Sequence, residues 1–233
     1  ADPSVLLGTL QSNGKVFLIN PAGITIGAGA RIDVAGFVAS TLTLADEDFL
    51  AGRLNFVAAP GAAAVKVAGG AEIATPSGGQ VYLIAPQVEN AGLITTPQGE
   101  VVLAAGQRVE LIDTGTPGVK VAVDAGGEAL NLGRLMAESG RVGMVGAVVR
   151  QQGTASAASL VREGGRIFLK ATQGVELAAG STTDASGTQG GTVEVDGGGT
   201  TIVAGIVSAT GATDTGGRIE LLGDKVGLFA GAD

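Results

Sequence analysis

Gly165-Arg166-Ile167-Phe168-Leu169 is one instance of the phrase that decides the fold: a glycine, any residue, Val or Ile, any residue, then an aliphatic residue or Met. The phrase returns as Gly14-Lys15-Val16-Phe17-Leu18, Gly79-Gln80-Val81-Tyr82-Leu83, Gly99-Glu100-Val101-Val102-Leu103, Gly140-Arg141-Val142-Gly143-Met144, Gly191-Thr192-Val193-Glu194-Val195 and Gly217-Arg218-Ile219-Glu220-Leu221. The leading glycines are spaced by 65, 20, 41, 25, 26 and 26 residues. Taking 65 as three coils and 41 as two, every gap is a small multiple of about 20–26 residues, the range of solenoid periods.

Positions two and four after the glycine are aliphatic or Met throughout, which is the period-2 alternation of a strand with one buried face. Position one (Lys15, Gln80, Glu100, Arg141, Arg166, Thr192, Arg218) reads as a polar exterior column. A second strand is expected about ten residues on, at Ile24/Ile26, Val109/Leu111, Val175/Leu177 and Val226/Leu228. A third is expected at Leu93-Ile94 and Ile206-Val207, with turns at glycine pairs between them. The pattern predicts an all-β fold: a right-handed parallel β-helix with three strands per coil and about ten coils, residues 1–233 forming one rod. An antiparallel sandwich would not need matched columns. Two stretches break the rhythm. Residues 37–60 contain Phe37, Phe49 and Phe56 around Asp46-Glu47-Asp48, and are expected to form an insertion packed on the helix side, burying its own Phe residues over Phe17 and Tyr82. Residues 126–140 lack alternation and read as a helical turn or an irregular coil.

Composition agrees with a narrow stacked interior. Hydrophobic residues are 45% of the chain but aromatics only 3%, with 41 glycines. Cys and His are both absent, which removes disulfides, thiolate metal sites and the commonest general base and zinc ligand. The net charge of −8 argues against nucleic acid and anionic membrane as partners. The chain opens without a signal-peptide pattern and stops in mid-repeat, so it is expected to be an excerpt of a longer polypeptide.

The segment from Ser12 to Phe56 resembles the secretion domain of filamentous haemagglutinin-like exoproteins of the bacterial two-partner secretion family. Asn20-Pro21-Ala22-Gly23 resembles that family's Asn-Pro-Asn-Gly motif, with Ala22 in place of Asn. Val38-Ala39-Ser40-Thr41-Leu42 and Asp46-Glu47-Asp48-Phe49-Leu50-Ala51-Gly52 resemble two further phrases. The resemblance implies a secretion-domain-like portion over residues 1–56, repeat coils over 61–233, export through an outer-membrane β-barrel transporter, and a place outside the cell or on its surface. It also implies a role in adhesion, with host or bacterial surface glycans or proteins as partners. Read without the family, Asn20, Pro21 and Gly23 make a structural turn: Pro presets φ, Gly permits positive φ and Asn bonds a nearby amide.

Candidate chemistry is sparse. Asp46-Glu47-Asp48 has carboxylates that suit calcium, but a solvated loop is the better reading without ligand spacing. Gly191–Gly199 has one glycine-aspartate turn without a calcium-repeat period. A polysaccharide-active enzyme would need convergent carboxylates, and Asp113, Asp124, Glu128, Glu138 and Glu163 sit in different turn contexts. No cofactor or metal site is expected. Phe168 is the candidate exposed binding aromatic. Unpaired strand edges at the coil ends suggest end-to-end self-association as the alternative to adhesion.

Overall fold

The computed structural model describes residues 2–113, 119–124, 126–213 and 215–232. They form a right-handed parallel β-helix of three ladders. The repeat phrase builds the first ladder: strands Thr9–Ile19, Arg31–Ser40, Gln80–Ala85, Glu100–Ala105, Arg141–Gln151, Arg166–Leu177, Thr192–Asp196 and Arg218–Leu222 stack in this order, all parallel. The second ladder runs from Ser4–Leu6 through Ile24–Ile26, Val65–Val67, Gln87–Asn90 and Glu128–Asn131. It continues in the far halves of Arg141–Gln151 and Arg166–Leu177, then Thr200–Val203 and Lys225–Leu228. The third joins the near halves of Thr9–Ile19 and Arg31–Ser40 to Glu72–Ala74, Leu93–Thr95, Arg134–Met136, Thr154–Ser156, Thr182–Asp184 and Ile206–Ser208.

The phrase ladder has eight rungs, fewer than the ten coils expected from spacing. Lys15 pairs with Gly36 and Gly36 with Gln80, so the 65-residue gap holds two coils; Glu100 pairs directly with Arg141, so the 41-residue gap holds one. The missing residues leave the rod. Thr43–Leu44, Leu54–Val57, Arg108–Asp113 and Val119–Asp124 make a separate four-stranded antiparallel sheet, joined by the short helix Asp46–Leu50.

This corrects three sequence expectations. Residues 37–40 are not insertion: Phe37 and Ala39 point into the rod in register with Val81 and Leu83, and the excursion begins at Thr43. That rung was hidden because Ala35 stands where the phrase has glycine. Val109 and Leu111 belong to the accessory sheet, not to a coil. Residues 128–131 and 134–136 are two ordinary strands, too short for their alternation to show and carrying a polar inward residue, Asn131.

The leading glycine has a steric cause. Its amide neighbour bonds the carbonyl of the glycine one rung away: Arg141 N–H to Gly99 O at 2.8 Å, Arg166 to Gly140 at 2.9 Å, Thr192 to Gly165 at 3.0 Å and Arg218 to Gly191 at 2.9 Å. A Cβ on Gly99, Gly140, Gly165, Gly191 or Gly217 would lie 2.0–2.2 Å from the carbonyl oxygen of the glycine before it. Glycine is required here by backbone contact.

Inside the rod, columns of Val, Ile, Leu, Ala and Met are fully buried, each large side chain contributing about 1.5–3 kcal/mol relative to exposure. One corner is polar. The Asn90 carboxamide donates to Asn131 Oδ1 at 2.9 Å, and Asn131 donates to Gln151 Oε1 at 2.7 Å and to Thr154 O at 3.1 Å. Gln151 donates to the carbonyls of Gly153 and Thr182 at 3.1 Å. All three side chains are fully buried. Among the described residues, no helix is long and apolar enough to cross a membrane.

Two stability outcomes follow. Gly165→Ala is expected to lower stability by about 2–3 kcal/mol, whereas Gly216→Ala, where a Cβ would meet nothing within 4 Å, stays within about 0.5 kcal/mol of the parent in urea titrations. Asn131→Ala is expected to cost about 1–3 kcal/mol for each of the two carboxamides it strands, read by the same titrations.

Candidate functional site

The first ladder is buried on both faces for part of its length, and this face is the most elaborated surface of the rod. The residues three and five places after the leading position, which strand alternation turns away from the rod interior, are Val38, Tyr82, Ile84, Val102, Ala104, Val145 and Phe168. They form a second core with Leu42, Phe56, Val109 and Leu111 beneath the accessory sheet. The signal was present in the sequence: Val81-Tyr82-Leu83-Ile84 and Val101-Val102-Leu103-Ala104 are unbroken apolar runs, as strands covered on both faces require. Phe17 lies at the margin and meets Phe49 edge to face at 5.3 Å.

Phe168 is therefore not an exposed binding aromatic. It is 5% exposed, its ring occupies the space left by Gly143 on the neighbouring rung, and the Arg141 guanidinium covers it at 5.1 Å. A Cβ on Gly143 would fall 2.2 Å from the ring. Arg141 in turn pairs with the buried Glu100 at 3.0 Å, and Glu100 accepts from the Tyr82 hydroxyl at 2.7 Å. Two residues of the column expected on the exterior, Glu100 and Arg141, thus lie largely buried and close the edge of the covered face, their charges paired as burial demands.

Past Phe168 the same column turns acidic. Glu194 sits beside it on the next rung, held by Lys170 at 2.6 Å and Arg166 at 2.7 Å. The hydrogen bond from Lys170 is the largest cause holding its carboxyl below the usual glutamate range; burial opposes this, and Arg166 adds to it. Glu220 follows, paired with Arg218.

Asn20, Pro21 and Gly23 come together as a tight turn beside the first rungs. Gly23 N–H donates to Asn20 O at 3.1 Å and Ala22 N–H to Asn20 Oδ1 at 3.0 Å, while Gly23 takes φ of 125°. The Asn20 carboxamide donates to Asp2 O and Ser4 Oγ, both at 2.9 Å, and Pro21 O accepts from Ala63 N–H. The turn thereby ties the first strand to the point where the first excursion returns.

Asp46, Glu47 and Asp48 occupy the first turn of the short helix, with Asp48 bonded to Arg53 at 2.8 Å. The same helix presents Phe49, half exposed, and Leu50, 84% exposed. The remaining carboxylates stay apart: Glu128 binds Arg150, and Glu138 accepts from Ser159 at 3.0 Å. At residue 163 the main-chain carbonyl accepts from Ser139. The side chains of Asp113 and Asp124 lie outside the described residues. Among the described residues, no group of three or more acidic side chains is arranged to hold a metal ion.

A parallel β-helix carrying an accessory sheet on its early rungs defines a solenoid domain. Residues 1–195 match the two-partner secretion (TPS) secretion domain family, and the chain belongs to that family. The crystal structure of the HMW1 secretion domain from Haemophilus influenzae is similar, with a TM-score of 0.70 and 26% identity over 100% of this chain and 84% of that one. No curated protein matches the chain. The chain is thus part of a two-partner-secreted exoprotein, whose export partner is an outer-membrane transporter.

The lowered Glu194 titration has a signed consequence. Its contribution to stability is present above the unfolded glutamate value, about pH 4.3, and is lost as pH falls through the lower native value. Stability measured between pH 5 and pH 2 should show a smaller acid loss in Glu194→Gln than in the parent.

Proposed function

We propose that this chain is the export and stalk segment of an adhesin-like surface exoprotein. Its accessory sheet and helix meet the transporter, and its bare later rungs extend the rod. The observation that carries the reading is Leu50, 84% exposed at the tip of an accessory helix in a chain that buries most of its aliphatic side chains. Beside it stand Phe49 and the carboxylates of Asp46 and Glu47, an apolar anchor with an acidic rim, the composition of a recognition surface. The Asn20–Gly23 turn acts one step back: its polar groups are consumed in holding the first rungs to the excursion, so its role is to position that surface. Adhesion is supported by the architecture of an extended rod. The buried Phe168 takes no part in it.

The test of this reading is co-expression with the outer-membrane transporter of its own system, behind a signal peptide. The chain is expected in the medium only when the transporter is present. Leu50→Asp should lower the exported fraction at least tenfold with an unfolding midpoint close to the parent's, since the side chain is largely exposed. Export without the transporter, or an unaffected Leu50→Asp, would sink the proposal.

A further inference from the structure

The two excursions leave and re-enter the rod close together, and the space between their roots is a cleft. Ala58 N–H bonds Gln107 O at 2.8 Å where the first excursion returns and the second departs, and Gly127 O accepts from Ala147 and Val148 where the second comes back. The cleft has a volume of about 540 Å³, within the range of small-molecule sites. Small residues such as Gly127 and Ala147 are part of its lining. Three exposed carboxamides, Gln87, Gln107 and Gln173, stand around it with the carboxylate of Glu128. That carboxylate is held by Arg150 on the adjoining rung, and Arg150 also faces Glu176 at 3.7 Å.

A smaller hollow of about 100 Å³ shares Gln87 and Glu128 and continues toward Lys66 and Glu89, which pair at 3.9 Å. Lys66, Glu89, Glu128, Val148 and Gly174 belong to five successive rungs of the second ladder. At about 4.8 Å per rung the two hollows form one groove roughly 20 Å long, parallel to the rod axis.

From this lining we infer that the groove binds an uncharged, hydroxyl-rich chain: a neutral oligosaccharide laid along the rod. A carboxamide offers a donor and an acceptor in one plane, matching a sugar hydroxyl that does both. Glu128, fixed by Arg150, supplies a further acceptor, and Lys66 and Glu89 cancel; because Arg150 is shared with Glu176, the groove has a slight negative excess that disfavours a polyanion. The described lining contains no aromatic or deep apolar pocket to anchor a protein side chain. The same lack of a stacking platform sets the affinity low, near millimolar. The inference deepens the adhesive reading, and it is tested on purified chain, so its outcome is separate from that of export.

The experiment is an NMR titration of the purified 233-residue chain, following glutamine side-chain amides. The probes are maltohexaose, cellohexaose and mannohexaose, with hexagalacturonate as the charged comparison. At least one neutral hexasaccharide should shift the Gln87, Gln107 and Gln173 amides saturably. The double variant Gln87→Ala/Gln173→Ala, whose side chains are exposed, should keep the parent unfolding midpoint and bind at least fivefold more weakly. No shift of these amides by any neutral probe up to about 20 mM, above the range of weak sites, overturns the inference. So do a preference for hexagalacturonate, shifts centred elsewhere, or binding unchanged in the double variant.

Discussion

The rod depends on one close contact: the α-carbon of a glycine resting against the carbonyl oxygen of the glycine one coil before it. That oxygen also accepts the hydrogen bond that opens the next strand, so the contact and the ladder share an atom. A side chain at this point would enter the line of the bond. The phrase must therefore begin with glycine from residue 99 onward, and each coil must return within a fraction of an ångström to the same place. At the start of the chain the rule relaxes: Ala35 stands in the column, and a Cβ on Gly14 would meet only Ser12 at 3.5 Å. Positional accuracy in one column fixes the alternation, the inward aliphatic columns and the outward ion pairs together.

A second core is built on top of this constraint. The parallel ladder is one-sided wherever coils simply repeat, and its outward column then carries charges such as Glu194 between Lys170 and Arg166. Where two excursions pair with each other, the outward column becomes Val38, Tyr82, Val102 and Phe168. The boundary between these regimes is drawn by the Tyr82–Glu100–Arg141–Phe168 chain, in which every polar group on the way into the covered region meets a partner. The rod interior and the accessory sheet are thus held by opposite sides of the same strands.

The solenoid was legible in the sequence because its cause is local: glycine, alternation and turn recur in a window of about 25 residues. The resemblance to secretion domains was legible from three short phrases, and the family match bears it out. The accessory sheet was only half legible. Its first strands announced themselves as a break in the rhythm, but Arg108–Asp113 alternates like any coil strand. Only its antiparallel partner, Leu54–Val57, more than 50 residues earlier, reveals where it belongs. Phe168 was misread for a related reason: alternation places it outward, and only the missing side chain of Gly143 and the reach of Arg141 bury it. The Asn90–Asn131–Gln151 corner gave no signal, because carboxamides in strands ordinarily read as surface.

The pairing of the two excursions bears on the order in which this chain can fold as it emerges from a pore. Later coils each need only the coil before them, and can be laid down one at a time as about 25 more residues arrive. The accessory sheet cannot close until residues 108–111 reach strand 54–57, so the early rungs wait with their outer apolar column uncovered while two coils pass. Contact order is high at the leading end and low behind it. For a polypeptide threaded through an outer-membrane barrel, the slow step is completed once, early, and everything after it is fast local accretion on a finished template.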